Sequence, residues 1–316
     1  MFRSLILALL VCCTSVKVSA VEVSPEPPTP TIPLAAGRIV HCVGVDNAGN
    51  AYCNVAYLWR VKRNRFCCTY QRELTAIVAL DGGITWLTPS APNTDTRVLS
   101  VSNDGRYVVG LSITPRYASQ GQTLWVDGVP GLVAGTVSAV SNYGYTLSGL
   151  AVRHSDGTTY SPASCVKVLA LDDLGGGVCF KDFDPGNDDP GVRGVARFDD
   201  PEQGEGNLTR FIIPLASPQY VKTAAINNYG LVALTVATSV IGDSYSSDAS
   251  GLLISYPGVY FAANNDSGFI VGSGIWQDGT GGVSADGVLF LDINNAGVTV
   301  GRVVRDGYTY GLIIYN

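Results

Sequence analysis

A five-residue pattern occurs seven times along this chain, and it constrains the fold more than any other feature. It begins with an apolar residue, continues with Asn, Asp or Ser and then usually Asn, and ends with any residue followed by Gly. The sixth copy carries Asn264 in place of the apolar residue. The seven closing glycines are Gly49, Gly105, Gly144, Gly175, Gly230, Gly268 and Gly297. They recur on average every ~41 residues, which is about the length of one propeller blade.

The chemistry of the pattern predicts a tight turn between two β-strands. Asn and Asp side chains hydrogen-bond nearby backbone groups, and Gly adopts positive φ at no steric cost. Strand-like segments follow the turns, for example Arg106–Gly110 and Val298–Gly301. A unit of this kind cannot bury its apolar faces alone, so it must stack on its neighbours. We therefore predict an all-β fold over residues 37–316, a β-propeller of six or seven blades.

Two copies extend the pattern into a longer similarity. Leu99–Gly110 with Thr123–Gly128, and Ala224–Leu234 with Gly251–Gly258, place a second strand after the turn and its strand. In this arrangement the chain resembles the extracellular HAF-type repeat family over roughly residues 39–316. The resemblance implies a β-propeller and an extracellular location, and it implies no reaction.

A second, shorter similarity lies in Leu80–Trp86, whose sequence is LDGGITW. It resembles the Asp-box of sialidase-like propellers, with Ala79 where Ser is usual. The resemblance implies a stabilised turn rather than an active site, and it supports the same fold.

The N-terminus is typical of an exported protein. Arg3 precedes the apolar run Leu5–Cys13, and Val18–Ala20 supplies the small residues that a signal peptidase requires. We predict a signal peptide over residues 1–20, cleaved after Ala20, and a secreted or cell-surface protein. Residues 21–36 form a Pro-rich linker, or an arm that docks on a neighbouring copy or closes the ring. No later stretch is apolar and long enough for a transmembrane helix.

Net charge narrows the choice of partners. The chain has 26 acidic and 20 basic residues, a formal net charge of −6 at pH 7. This balance disfavours nucleic acid and anionic lipid as the main partner. Protein and glycan ligands remain.

The cysteines of the predicted mature chain are even in number, which is typical of disulfides in exported proteins. Cys42 and Cys53 flank a predicted hairpin turn at Asn47-Ala48 and should face each other. Cys165 and Cys179 flank another turn and form the natural second pair. The adjacent cysteines either bridge each other or pair elsewhere; they are Cys67 and Cys68. Zinc is disfavoured, because the cysteine spacing is wrong and the chain has only 2 histidines.

Two kinds of modification or ligand site are also predicted. An acidic segment has the oxygen ligands that calcium prefers, although no Glu follows at the spacing of a calcium loop. Its aspartates are Asp182, Asp184, Asp188 and Asp189. Asn207 and Asn265 begin glycosylation sequons.

No catalytic residues can be assigned from the sequence. A serine triad requires His41 or His154, and neither lies near a nucleophile motif. Most aspartates lie in the repeated turns. The sequence therefore predicts a secreted, non-enzymatic binding or structural module with protein or glycan contacts. Tyr143, Tyr229 and Trp276 are candidates to stack on sugars, with core packing as the commoner role of such side chains. The alternative is a carbohydrate-active propeller enzyme, which requires two carboxylates about 5–9 Å apart at the centre of the ring.

The predicted cleavage site can be tested directly. We expect the exported protein to begin at Val21, because the small residues that precede it fit signal peptidase. Intact-mass and N-terminal peptide analysis of protein recovered from outside the cell measures this. A chain that retains Lys17–Ala20 contradicts the predicted cleavage.

Overall fold

A computed structural model provides the fold of the chain. It describes residues 17–20, 35–63, 66–91, 94–113, 120–133, 135–149, 151–154, 156–162, 165–181, 194–198, 208–215, 219–238, 242–248, 252–277, 280–283, 287–305 and 308–315. Within these ranges the secondary structure consists of β-strands, β1 to β28, joined by turns. None of the described segments forms a helix able to cross a membrane.

The first four sheets after β1 follow chain order, with four strands in each. Blade 1 contains β2 (Ala35–Val45), β3 (Ala51–Arg63), β4 (Phe66–Val78) and β5 (Ile84–Trp86). Blade 2 contains β6 (Asp95–Val101), β7 (Tyr107–Ile113), β8 (Gln120–Val126) and β9 (Val129–Val133). Blade 3 contains β10 (Ala139–Val140), β11 (Thr146–Ser148), β12 (Ala151–Arg153) and β13 (Thr159–Tyr160). Blade 4 contains β14 (Lys167–Leu171), β15 (Gly177–Lys181), β16 (Gly194–Phe198) and β17 (Leu208–Pro214).

Three further sheets complete the fold. Blade 5 contains β18 (Tyr220–Ile226), β19 (Val232–Ala237), β20 (Gly242–Ser247) and β21 (Leu253–Tyr256). Blade 6 contains β22 (Phe261–Asn264), β23 (Phe269–Gly272), β24 (Gly274–Gln277) and β25 (Thr280–Val283). Blade 7 contains β26 (Val288–Ile293), β27 (Thr299–Arg305), β28 (Tyr308–Tyr315) and, at its outer edge, β1 (Lys17–Ala20).

The first strand of each blade lies at the centre of the molecule. β2, β6, β10, β14, β18, β22 and β26 each contact the first strand of the next blade, and β26 contacts β2. Within each blade, neighbouring strands pair antiparallel in chain order. The protein is therefore a seven-bladed β-propeller. This confirms the predicted fold class, and of the predicted six or seven blades the structure has seven.

Blade 7 is completed by the N-terminal end of the chain. β1 pairs antiparallel with β28, and β2 pairs with the same strand in parallel at Ile39 and Thr309. The residues of β1 are the ones that the sequence assigns to the end of a signal peptide, whose cleavage would remove this strand. Residues 21–34, most of the predicted linker, lie outside the described ranges.

The hydrophobic core is divided into seven parts, one between each pair of neighbouring blades. Because both faces of a blade pack on neighbours, the second strands are buried on both sides. All six residues of β19 are buried, as are the first six of β7. This explains why these segments read as continuous apolar runs rather than as alternating ones.

Both predicted disulfides that fall in fully described regions are present. Cys42 lies directly opposite Cys53 in the β2–β3 ladder and is bonded to it. Cys165 is bonded to Cys179. Cys67 and Cys68 lie on β4, opposite Lys62 and Val61, in a stretch of which only the backbone is described, so their pairing stays a prediction.

One predicted ligand contact is wrong. Trp276 lies on β24 and is 5% exposed, because it packs in the core between blades 5 and 6. Its ring centroid is 5.2 Å from that of Phe261, edge to face. Trp276 therefore stabilises the blade interface and does not stack on a sugar.

Asn54 shows how a polar side chain replaces strand pairing between blades. It is buried on β3, and its Nδ2 donates to the carbonyl of Val98 on β6 at 2.8 Å. Its Oδ1 accepts from the Val98 amide at 2.9 Å and from the Thr75 hydroxyl at 2.9 Å. The amide of Asn54 thus joins blade 1 to the innermost strand of blade 2.

Truncation of Asn54 should destabilise the propeller strongly. In Asn54→Ala, the buried amide and carbonyl of Val98 lose their partner, and we expect the free energy of unfolding to fall by about 2–4 kcal/mol. Urea unfolding measures this, with Ser267→Ala at an exposed turn position as the control. A loss below about 0.5 kcal/mol in Asn54→Ala would contradict the bridging role.

Candidate functional site

The seven repeated turns connect the first and second strands and gather on one face around the propeller axis, here called the turn face. In each turn the second residue of the pattern is buried, and in the regular copies it closes the turn. Asn227, Asn265 and Asn294 accept at Oδ1 from the amide four residues ahead, at 2.8, 2.9 and 2.8 Å. This confirms the turn chemistry predicted from the sequence.

The third residue of the pattern connects each turn to the next blade. The amide of Asn142 donates to Oδ1 of Asp173 at 2.9 Å, and the amide of Asp173 donates to Oδ1 of Asn228 at 2.9 Å. The amide of Asn228 donates to Asp266 at 3.0 Å, and that of Asp266 donates to Asn295 at 2.9 Å. Each blade therefore holds its neighbour through a side chain that accepts a backbone hydrogen bond.

Hydrogen bonds also join blades 7, 1 and 2, but the donor and acceptor atoms differ from those in the other blades. The amide of Asn295 donates to Oδ1 of Asn47 at 3.1 Å. Between blades 1 and 2 the bond is backbone to backbone, from the Asn47 amide to the Asn103 carbonyl. In blade 2 it is the amide of Asp104, one residue later, that donates to Asn142. The turns of all seven blades thus form one continuous hydrogen-bonded ring.

A second series of hydrogen bonds joins the turns of blades 5, 6, 7 and 1. Nδ2 of Asn227 donates to the carbonyl of Asn265, Nδ2 of Asn265 donates to that of Asn294, and Nδ2 of Asn294 donates to that of Asp46. Asn265, predicted as a glycosylation site, is 3% exposed. In the folded protein its side-chain nitrogen serves the ring, so this sequon does not present a free amide. Asn207 lies outside the described residues.

Two carboxylates converge in the ring, on either side of Asn228. Its Nδ2 donates to Oδ2 of Asp173 at 2.7 Å and to Oδ2 of Asp266 at 3.0 Å. Because both oxygens bond the same nitrogen, they lie within about 6 Å of each other, which meets the separation expected of a glycosidase pair. Both carboxylates, however, use both of their oxygens to accept ring hydrogen bonds, with Asn142 and Asn295 as further side-chain donors. This geometry serves to hold the blades together.

Asp292 contributes a buried carboxylate next to the ring. Two residues before the second pattern residue, the other blades carry a small residue; these are Gly44, Ser100, Ala139, Ala170, Ala225 and Ala263. Oδ2 of Asp292 accepts from the Val45 amide of blade 1 at 2.9 Å. A Cβ at Gly44 would lie 2.8 Å from Val101, so glycine provides the room in which blades 7 and 1 meet. Burial raises the pKa of Asp292 to about 7.

In three consecutive blades the fourth residue of the pattern is large and exposed. Tyr143 is 61% exposed, Leu174 59% and Tyr229 73%. Their turns are hydrogen-bonded neighbours, so the three residues occupy adjacent positions on the turn face. We call them the apolar crescent. The two tyrosines were predicted as ligand contacts, whereas Leu174 was missed, although it occupies the same place in the pattern.

The structure separates the other predicted residues. His41 lies on β2 at the centre, and His154 lies beside Asp156 in the turn between β12 and β13, in the outer half of blade 3. Asp81 of the Asp-box accepts the Gly83 amide in the β4–β5 turn, as its resemblance implies. Among the described residues no group of three or more His, Cys, Asp or Glu is placed to hold a metal. Asp182, Asp184, Asp188 and Asp189 lie outside those residues, so calcium stays a prediction.

Comparison with known proteins identifies no family for this chain. No family model matches the chain, and no curated protein matches it. Among solved structures it is similar to a chain in a crystal structure of the mitotic checkpoint complex, with 14% identity and a TM-score of 0.49, over 95% of this chain and 99% of that one. It is also similar to a chain in the structure of YCF48 bound to D1 peptide, with 12% identity and a TM-score of 0.48, over 94% and 97% of the two chains. The HAF-type resemblance stays a prediction.

The raised pKa of Asp292 predicts a pH-dependent stability. The folded state holds this proton up to about pH 7, while the unfolded state releases it near pH 4, so the contribution is complete below pH 4 and is lost as pH rises through 7. Asn in its place accepts the same hydrogen bond and does not ionise. Relative to wild type, Asp292→Asn should therefore gain on the order of 4 kcal/mol between pH 4 and pH 8.

Urea unfolding at both pH values measures this difference, with Asp81→Asn at an exposed turn as the control. Other buried acids, including Asp172, whose pKa burial raises to about 6, are common to both proteins and cancel in the comparison. An unchanged difference between pH 4 and pH 8 would argue that Asp292 is ionised throughout.

Proposed function

We propose that this protein is a secreted, non-enzymatic binding module that contacts a partner protein through the apolar crescent. The observation that carries the proposal is the repetition of a large exposed side chain at one position of three neighbouring turns, Tyr143, Leu174 and Tyr229. Exposed apolar groups of this size that lie together are typical of interaction surfaces. The signal-like N-terminus and the two disulfides support secretion.

The ring beneath the crescent supports binding without a large conformational cost. The turn of each of the three residues is fixed by its own cap and by its neighbour, as in the bonds from Asn142 to Asp173 and from Asp173 to Asn228. A surface that is ordered before binding loses little conformational entropy in the complex. Tyrosine also brings large contact area with few rotatable bonds.

A protein partner fits this surface better than a glycan does. The middle position is Leu174, which has no ring to stack on a sugar and is 59% exposed. Phenol rings on either side of an aliphatic side chain resemble the aromatic-rich centre of protein interfaces. A glycan remains the second candidate, because Tyr143 and Tyr229 can stack on pyranose faces.

Two other roles rest on less. A carbohydrate-active enzyme requires Asp173 and Asp266 to act on a substrate, and both already bond Asn228 in the ring. Self-assembly through residues 21–36 would make this a subunit of a surface structure, and most of that segment lies outside the described residues.

The crescent can be tested by substitution. We expect Tyr143→Ser/Tyr229→Ser to weaken binding to extracellular proteins of the source organism by about tenfold or more, because aromatic anchors dominate interface energies. Leu132→Ser is the matched control, since Leu132 is 77% exposed on the outer strand β9, far from the crescent. Both variants should unfold at the wild-type temperature.

The measurement is an affinity panel of the exported protein against extracellular proteins and a glycan array, with and without calcium. Protein binding lost in the double variant and kept in Leu132→Ser supports the proposal. Crescent-dependent binding to glycans alone favours the second candidate. Equal binding by both variants would sink the crescent as the contact surface.

A further inference from the structure

The end of the axis opposite the turn face carries positive charge. Five residues before the second pattern residue, about 15 Å along each innermost strand from the turn, lie Arg97 of blade 2, Lys167 of blade 4 and Lys222 of blade 5. In blade 7 the equivalent position is Leu289, and Arg302 lies directly opposite it on β27. All four cationic residues are exposed. We call this set the basic mouth.

The cations gather around two neutral side chains of blades 1 and 6. His41 occupies the same level in blade 1; burial, followed by the charges of Arg97 and Arg302, lowers its pKa. Tyr260 occupies it in blade 6, with Nζ of Lys222 5.3 Å from its ring centroid. Positive charge from four different blades therefore lies at the same end of the propeller axis.

The acidic groups that the structure describes at this end compensate only part of that charge. Arg97 Nε is 3.8 Å from Glu73 Oε1, in a half-exposed contact. Asp95 is paired with Arg72, which makes that couple neutral. Asp243 lies farther out, on the third strand of blade 5, where it accepts the Gly258 amide. Among the described residues at this mouth, cations thus outnumber anions although the whole chain has a net charge of −6.

Apolar side chains accompany the cations. Leu99, two residues beyond Arg97 on β6, is 37% exposed, and Tyr220, two residues before Lys222 on β18, is 45% exposed. A small inorganic anion gains nothing from contact with apolar side chains, and it is too small to contact charges on four blades at once. An extended chain that carries several carboxylates among apolar side chains matches both features.

We propose that the basic mouth binds an acidic peptide segment of a partner protein, with carboxylates on Arg97, Lys167, Lys222 and Arg302 and apolar residues against Leu99 and Tyr220. This site is separate from the apolar crescent, which lies on the other face. The two surfaces therefore bind independently.

The test uses the whole exported protein and a fluorescein-labelled peptide of alternating glutamate and leucine, read by fluorescence anisotropy. Lys167→Gln/Arg302→Gln should weaken binding at least tenfold and leave the Arg97–Glu73 contact intact. Glu73→Gln should strengthen binding several-fold, because it removes the anion beside Arg97. Affinity should also fall steeply between 50 and 300 mM salt, since the attraction is between exposed charges.

Three controls make the outcome decisive. Arg106→Gln/Arg153→Gln changes the net charge equally on the turn face and should bind as wild type does. A lysine–leucine peptide should not bind. Tyr143→Ser/Tyr229→Ser should keep peptide affinity, which separates this site from the crescent. Wild-type affinity in the mouth variant, equal loss in the turn-face variant, or mouth-dependent binding of polygalacturonate without the peptide would each overturn the proposal.

Discussion

The structure depends on hydrogen bonds that side chains of the repeated turns donate to, and accept from, the next blade. The blades other than 7 and 1 share no sheet among the described residues, so the polar groups of the inner turns must find partners across the blade boundaries. Asn and Asp are suited to this, since a single side chain can accept a backbone amide and, in Asn, donate as well. The pair Asn228 and Asp173 shows both uses.

The blade interfaces follow from the same arrangement. With the turns fixed, the seven cores are slots between sheets, and each slot is filled by side chains of two blades. Where a slot meets the ring, space is limited. Gly230, at φ +80°, leaves room for the guanidinium of Arg197 from blade 4, which a Cβ would meet at 1.9 Å. Asn264 replaces the apolar residue of its copy and donates to the Leu231 carbonyl of blade 5 instead.

The two ends of the axis differ in chemistry because the hydrogen-bonded ring requires short polar side chains at one end only. The turns require Asn, Asp and Ser, so carboxylates such as Asp46, Asp173 and Asp266 gather on the turn face. The ends of the innermost strands away from the turn face have no such requirement. Arg97, Lys167 and Lys222 are exposed there. Among the described residues, the turn face thus carries the ring carboxylates and the apolar crescent, and the opposite end carries the basic mouth.

Features that depend on neighbours along the chain could be predicted from the amino-acid sequence. These features include the repeated turns and the strands that follow them, from which the stacking of the repeats was predicted. They also include the pairing of Cys42 with Cys53, because a hairpin places residues opposite each other within a few positions. Which side chains meet across blades is seen only in the folded protein. Trp276 is buried in a core between blades, and Asn265 donates to the Asn294 carbonyl of the next blade. Leu174 is exposed on a turn next to those of two exposed tyrosines, and Arg302 lies near His41. These contacts join residues tens to hundreds of positions apart, and their partners are set by the closure of the ring, which no local pattern encodes.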